Sequence, residues 1–144
     1  MDNIKVGIAK NPAEISGIKE IRRQVFQIEQ GIDPILDFDG NDQESDQFIA
    51  YLNKEAVGTA RIRYLSEGLA KLERLAILKD YRKMGIGRKI VEYVIDYLKN
   101  KGVENITLDS QEHAKHFYEK NGFKQVGEVF EEAGIPHVKM ERKL

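Results

Sequence analysis

The segment Arg82-Lys83-Met84-Gly85-Ile86-Gly87 sets two glycines two positions apart and surrounds them with cations, since Arg88 follows directly. Glycine lets the backbone approach a ligand closely and reach dihedrals that a Cβ disfavours. Where a strand hands over to a helix, such a segment presents amides with no intrahelical partner, and the helix dipole favours an anion there. The chemistry on offer is the cradling of a diffuse phosphate, with Arg82, Lys83 and Arg88 adding positive charge. A tight turn into a packed helix uses the same glycines, so turn chemistry alone leaves both readings open. Two other phosphate motifs fail on the residues themselves. A Walker loop needs Gly-Lys-Ser/Thr, but Gly87 is followed by Arg88-Lys89-Ile90. A dinucleotide fingerprint needs a third glycine where Ile90 stands, within an early βαβ unit.

Other chemistry-bearing residues are weaker signals. Asp37-Phe38-Asp39-Gly40-Asn41-Asp42 starts like a calcium loop, but the sixth position is Asp42 and the twelfth is Phe48. It reads as a solvated acidic loop, well placed to attract a cationic amine. His113 and His116 share a helix face without a clear third ligand, so no metal site is expected. With no cysteine in the chain, a disulfide framework, a thiolate zinc site and a cysteine nucleophile are all excluded.

The elements that must position the glycine loop follow from periodicity. Ile4 to Ile8 alternates as a strand does. Ile15, Ile18, Ile21, Val25 and Ile28 recur at helical spacing after Asn11-Pro12, and Gly31 ends that helix. Phe48 to Leu52, Val57 to Tyr64 and Leu69 to Leu78 read as three strands of an antiparallel meander, the first two joined at Asn53-Lys54-Glu55. Ile86, Ile90, Val91, Val94, Ile95 and Leu98 predict a helix closed by Lys101-Gly102. Ile106 to Leu108 is a short strand, Gln111 to Lys120 a short helix, and Phe123 to Val126 and Val138 to Arg142 are closing strands. The expected architecture is one mixed α/β (α+β) domain over residues 1–144, with a mostly antiparallel sheet flanked by helices.

A chain of 144 residues with 41% hydrophobic and 33% charged residues suits one folded domain. The net charge of -1 lacks the concentrated basic surface of a nucleic-acid binder. Met1 to Val6 has no long apolar region, and no run approaches the ~20 apolar residues of a membrane span, so a cytoplasmic location is expected.

The stretch from Leu75 to Gly87 resembles the acetyl-CoA motif of the GNAT superfamily of N-acetyltransferases, in which an apolar strand leads through a turn to Arg/Gln-x-x-Gly-x-Gly/Ala. Arg82, Gly85 and Gly87 match that pattern. Ala114-x-x-Phe117-Tyr118-x-x-x-Gly122-Phe123 resembles the family's C-terminal helix and following strand. Phe26-x-x-Glu29-Gln30, Lys71-Leu72-Glu73-Arg74 and Gly134-Ile135-Pro136-His137 resemble a subgroup of small bacterial members. One departure is Gln111, where many members carry asparagine.

The resemblance implies a GNAT fold whose splayed central strands hold acyl-CoA, and direct attack of an amine on the thioester of acetyl-CoA. The implied partners are acetyl-CoA and an amine acceptor, with a homodimer allowed and neither nucleic acid nor membrane. It implies that Leu75, Ala76 and Ile77 line the groove, that the Leu75 N–H donates to the oxyanion, and that Gln111 and Phe117 meet the cofactor alongside Arg82, Lys83, Met84, Gly85, Ile86, Gly87 and Arg88. Tyr118 matches the family tyrosine near the CoA sulfur and is the candidate acid, although Phe117-Tyr118 would also bury as aromatic packing. Strand alternation sets Glu73 and Leu75 on one face, which makes Glu73 a candidate base; an ion pair with Arg61, Arg63 or Arg74 is the competing reading. His137, approached through Gly134-Ile135-Pro136, is a neutral imidazole that binds substrate or relays a proton, or else a hydrogen-bonded structural histidine. Glu29 is either a substrate contact or a solvated helix-end charge. A non-catalytic acyl-CoA-binding regulatory domain is the alternative function.

Overall fold

The computed structural model describes residues 3–144, so Met1 and Asp2 of the N-terminal stretch considered above lie outside the described residues. The strands are β1 (Ile4–Ile8), β2 (Asp46–Leu52), β3 (Glu55–Ser66), β4 (Leu69–Ile77), β5 (Asn105–Gln111), β6 (Lys124–Gln125), β7 (Phe130–Glu132) and β8 (Ile135–Lys143). The helices are α1 (Pro12–Arg22), α2 (Pro34–Asp37), α3 (Ile86–Asn100) and α4 (Lys115–Lys120). One sheet runs β1-β2-β3-β4-β5-β8-β6, with β7 paired to β8. Every pairing is antiparallel except β4 with β5. The mixed, mostly antiparallel sheet is the one expected.

Local chemistry sets the element boundaries. Asn11 Oδ1 accepts from Glu14 N–H at 2.9 Å while Glu14 Oε1 accepts from Asn11 N–H at 3.2 Å, a capping box that starts α1. Asn53 and Lys54 both adopt positive φ (49° and 77°), the backbone a two-residue β2–β3 hairpin requires. The same device at Ala133 and Gly134 (52° and 74°) creates the β7–β8 hairpin, which periodicity misses because β7 is only three residues long.

Helix α3 shows which effect wins. Ile86, Ile90, Val91, Val94 and Ile95 are β-branched, and each disfavours a helix by about 0.5 kcal/mol relative to alanine. All five are buried with Leu98 against the sheet, and burial contributes about 2 kcal/mol per side chain. Tertiary packing therefore forms this helix. On the opposite face Ile21, Val25 and Phe26 pack against Ala76. After Arg22 the helix widens into a π-turn over Arg23–Glu29, with Gln30 N–H bonded to Val25 O at 3.2 Å. That widening breaks the α-helical spacing, so Phe26 is buried while Ile28 is 63% exposed, against the expected stripe. Among the described residues no helix is long and apolar enough to cross a membrane.

Candidate active site

Strands β4 and β5 pair only from Leu69–Asn105 to Leu72–Leu108. Beyond that point they separate, β4 running to Ile77 and β5 to Gln111. At the fork β4 carries a bulge: Glu73 faces Arg61 and Ala76 faces Thr59, leaving Arg74 and Leu75 opposite Ala60. Arg74 takes φ 56°, unusual for a residue with a side chain. The bulge reverses the alternation. Leu75 and Ile77 pack toward α3 with Leu72, whereas Ala76 packs toward α1. Glu73, next to Leu72 in the regular part of the strand, points away from α3. The expected shared face of Glu73 and Leu75 is thus corrected: they lie on opposite faces of the sheet.

A cavity of about 1190 Å³ opens at this split. It is lined from the α3 side by Gly85, Ile86, Gly87, Phe117 and Tyr118, and from the α1 side by Arg63, Lys71, Glu73, Asp109 and His137. All three candidate catalytic residues therefore share one space.

The glycine loop forms the first wall. Lys83 and Gly85 have positive φ (64° and 83°), and Gly85 is the N-cap of α3 without any side-chain cap. The first α3 hydrogen bond is Lys89 N–H to Gly85 O at 3.1 Å. The N–H groups of residues 83–88 donate to no acceptor among the described residues. A Cβ on Gly85 would meet nothing within 4 Å, so it would project into open space beside these donors. A Cβ on Gly87 would lie 3.2 Å from Phe117 Cζ, so this glycine admits the aromatic ring. Consecutive free amides at a helix start fit an anion of several oxygens. Arg82, Lys83 and Arg88 line the cavity as expected; Met84 does not, and its side chain is 39% exposed outside it.

Two bonds cross the cavity mouth. Arg82 forks onto Glu29, Nη1 to Oε2 at 2.5 Å and Nη2 to Oε1 at 2.6 Å, while its Nε donates to Ile77 O at 3.0 Å. The Arg82 guanidinium holds the Glu29 carboxyl below its ordinary value. Glu29 is therefore an ion-paired charge at the exposed end of this helix. On the other wall, Gln111 Nε2 donates to Gln30 Oε1 at 2.7 Å, and Gln111 Oε1 lies 2.6 Å from His113 Nε2.

The groups suited to proton transfer sit deeper. Tyr118 is partly buried, its ring edge-on to Phe117 and Phe123. Its hydroxyl makes no hydrogen bond among the described residues, and burial pushes the phenol well above its ordinary value. His137 is 6% exposed and stacked on Phe130. Its Nδ1 lies 2.7 Å from Ile135 O, which can only accept, so Nδ1 carries a proton and Nε2 keeps the lone pair in the neutral ring. Glu132 Oε2 is 3.6 Å from Nε2. Glu73 Oε1 accepts from Arg61 Nη2 at 2.9 Å and Arg63 Nε at 3.1 Å, with Lys71 Nζ 3.6 Å from Oε2. The ion-pair reading of Glu73 therefore holds.

The solvated reading of the acidic loop is corrected in part: the Asp37 carboxylate is buried, and those of Asp39 and Asp42 are engaged by arginines. Arg22, 1% exposed, donates to Asp37 Oδ1 at 3.0 Å and to Asp42 Oδ1 at 2.7 Å. Arg61, also 1% exposed, donates to both oxygens of Asp39 at 2.9 and 3.0 Å. Arg74 reaches back from the bulge to Leu36 O at 2.9 Å. These acids neutralise buried arginines, and they clamp the loop over the α1 side of the cavity. Removing one partner of a buried pair leaves an uncompensated charge, so Arg22→Ala should cost about 3–5 kcal/mol, read as a lower urea midpoint. Burial alone would raise Asp39, but bonds from Arg61 and Asn41 more than reverse this and hold it below the usual carboxylate range. A carboxyl lowered by folding stabilises above its unfolded value and loses that contribution as pH falls. The Arg61-dependent part of stability should therefore be intact at neutral pH and decline below about pH 4, measured by urea titration of parent and Arg61→Met at several pH values.

Lys71, Asp109, Gln30, His113 and Glu132 were missed as site residues. Lys71 and Gln30 lie inside motifs already singled out, whereas Asp109 (3.0 Å from Lys71 Nζ) and Glu132 reach the cavity only through sheet register. Among the described residues no group of three His, Asp or Glu side chains is arranged to hold a metal.

The site is thus an eight-stranded sheet split at a bulged central strand, with free amides opening the next helix. The chain belongs to the GNAT acetyltransferase family: the model "Acetyltransferase (GNAT) domain" matches residues 34–144. It is 33% identical to the Bacillus subtilis protein named "Uncharacterized N-acetyltransferase YjcF" over 95% of this chain and 98% of that one. It is 28% identical to Escherichia coli ElaA over 92% and 89% of the two chains. The crystal structure of ElaA superposes with a TM-score of 0.84 over 99% of each chain. A GNAT family acetyltransferase from Elizabethkingia anophelis, solved with acetyl-CoA bound, shares the fold with a TM-score of 0.78 at 17% identity over 99% of each chain.

Proposed function

We propose that this protein transfers the acetyl group of acetyl-CoA to the nitrogen of a primary amine, on a small molecule or a protein, by direct attack. The observation that carries the reading is the run of unbonded amides at residues 83–88, which opens into the same cavity as Tyr118 and His137. The amides of Lys83 to Arg88 take the donor's pyrophosphate, with Arg82, Lys83 and Arg88 supplying charge. Leu75, Ala76 and Ile77 on one side, with Gln111 and Phe117 on the other, line the path of the pantetheine arm. The Leu75 N–H stabilises the oxygen of the attacked thioester.

Proton traffic then has two ends. The acceptor must reach the thioester carbon as a free amine, since alkylamines are protonated near neutral pH. His137 Nε2 receives the proton lost by the nitrogen, and Tyr118 gives one to the departing CoA thiolate. The carbon–sulfur bond breaks as the carbon–nitrogen bond forms, leaving an amide and free CoA. Glu73, whose oxygens are engaged by Arg61 and Arg63, orients Arg63 at the acceptor side and leaves the base role to His137. His137→Gln should lower kcat about 100-fold with little change in KM for acetyl-CoA, and Glu73→Gln should cost less in kcat; steady-state kinetics at pH 7.5 decide the order (~10²-fold per base).

The test is release of free CoA thiol from acetyl-CoA with a panel of small amines, amino acids and lysine peptides, against a control lacking acceptor. An acceptor-dependent rate supports the transferase. The non-catalytic acyl-CoA-binding alternative, which the family match does not favour, predicts calorimetric binding with no such rate.

A further inference from the structure

Two adjacent residues at the end of the π-turn, Glu29 and Gln30, bond to opposite walls of the donor cleft. Glu29 holds Arg82, whose Nε also caps the last carbonyl of β4 at Ile77. Gln30 holds Gln111 at the end of β5. One turn of helix therefore spans the gap that the strands leave after Leu72. The π-turn itself is a second, independent sign, since such insertions are costly and cluster at functional positions.

Valence explains how the contacts survive a bound donor. Arg82 has five N–H groups and uses three on Ile77 O and the two oxygens of Glu29, so two remain for phosphate oxygens. The Gln111 carboxamide has two N–H groups and two lone pairs. Gln30 takes one N–H and His113 meets the oxygen, leaving one donor and one acceptor site for a pantetheine amide. Neither side chain must abandon its neighbour to meet the ligand, and each is fixed in orientation beforehand. Preorganisation of this kind raises affinity by removing the ordering cost from the binding step.

We propose that Glu29 and Gln30 are positioning residues for the acyl-CoA donor: Glu29 orients Arg82 beside the pyrophosphate amides, and Gln30, with His113, orients Gln111 against the pantetheine arm. The inference rests on the acetyl-CoA reading above. It assigns the Glu29-Gln30 dipeptide to the donor rather than to the acceptor, although it belongs to the helix on the acceptor side of the sheet.

The test is a pair of double-mutant cycles read by isothermal titration with acetyl-CoA. Glu29→Gln and Gln30→Ala should each weaken binding about tenfold, the effect of one charge-assisted or well-oriented hydrogen bond. The Glu29→Gln effect should vanish in an Arg82→Gln background, and the Gln30→Ala effect in a Gln111→Ala background, while the two pairs should combine additively. Glu29→Asp, which keeps the charge at shorter reach, should recover part of the affinity, and it keeps the test available if Glu29→Gln folds poorly. A loss that persists unchanged in the partner-deleted backgrounds, or unaltered affinity in variants with the parent's thermal midpoint, would overturn the assignment. Failure of the parent protein itself to bind acetyl-CoA would instead refute the acetyltransferase reading on which the assignment rests.

Discussion

Gly85→Glu should abolish acetyl-CoA binding while leaving the protein folded. Gly85 sits at φ 83° at the N-cap of α3, and its missing Cβ would project into open space beside the free amides of residues 83–88. A glutamate there puts a carboxylate at the proposed pyrophosphate site, adding like-charge repulsion and bulk. The backbone cost of a side chain in the left-handed region is about 1–2 kcal/mol. A domain typically has about 5–15 kcal/mol of stability, so unfolding does not explain the loss. Calorimetry should show no measurable heat of binding, with a thermal midpoint only a few degrees below the parent. Gly85→Asn separates charge from strain, because asparagine tolerates this conformation and brings no charge. It should retain most of the affinity. Unaltered binding by a folded Gly85→Glu protein would remove the loop from the site.

Tyr118→Phe is the second large effect and falls on a different parameter. The substitution keeps the ring that packs edge-on to Phe117 and Phe123, and among the described residues the hydroxyl has no partner to lose. Stability and acetyl-CoA affinity should match the parent. Turnover should drop about 100-fold, the usual worth of a positioned general acid. Burial raises the phenol above its ordinary value, so the proton stays in place as the medium becomes basic. The parent rate should accordingly show no decline attributable to this group between about pH 8 and about pH 10. A Tyr118→Phe enzyme with parental kcat would reduce the residue to packing.

Elements governed by local chemistry were legible in the chain. The Asn11-Pro12 helix start, the Asn53-Lys54 hairpin and the one-sided apolar stripe of α3 each follow from neighbours a few residues apart. The glycine loop was legible for the same reason, and so was the order of strands in the meander. Features that depend on distant partners were not. Arg74 adopts a left-handed backbone without being glycine, and its side chain bonds to the loop at Leu36, Asp37 and Asp39. That bulge moved Glu73 away from the face of Leu75, which no period-2 reading could anticipate. The acidic loop looked solvated because Arg22 and Arg61, the cations that engage its carboxylates, lie on α1 and β3. The π-turn left Ile28 exposed and aimed Glu29 and Gln30 at the cleft, again through tertiary contacts with Arg82 and Gln111. The α3 wall of the cavity was thus largely readable from the motif, whereas the α1 wall was assembled by register and ion pairing.

The central claim is acetyl transfer to nitrogen, and its product answers it directly. After incubation with acetyl-CoA and the amine panel, mass spectrometry of the acceptors before and after alkaline hydroxylamine distinguishes an amide from an ester. The predicted result is an acceptor that gains one acetyl group only in the presence of the enzyme and keeps it through hydroxylamine. An acetyl group stripped by hydroxylamine, or no acetylated acceptor from protein that binds acetyl-CoA, would contradict it.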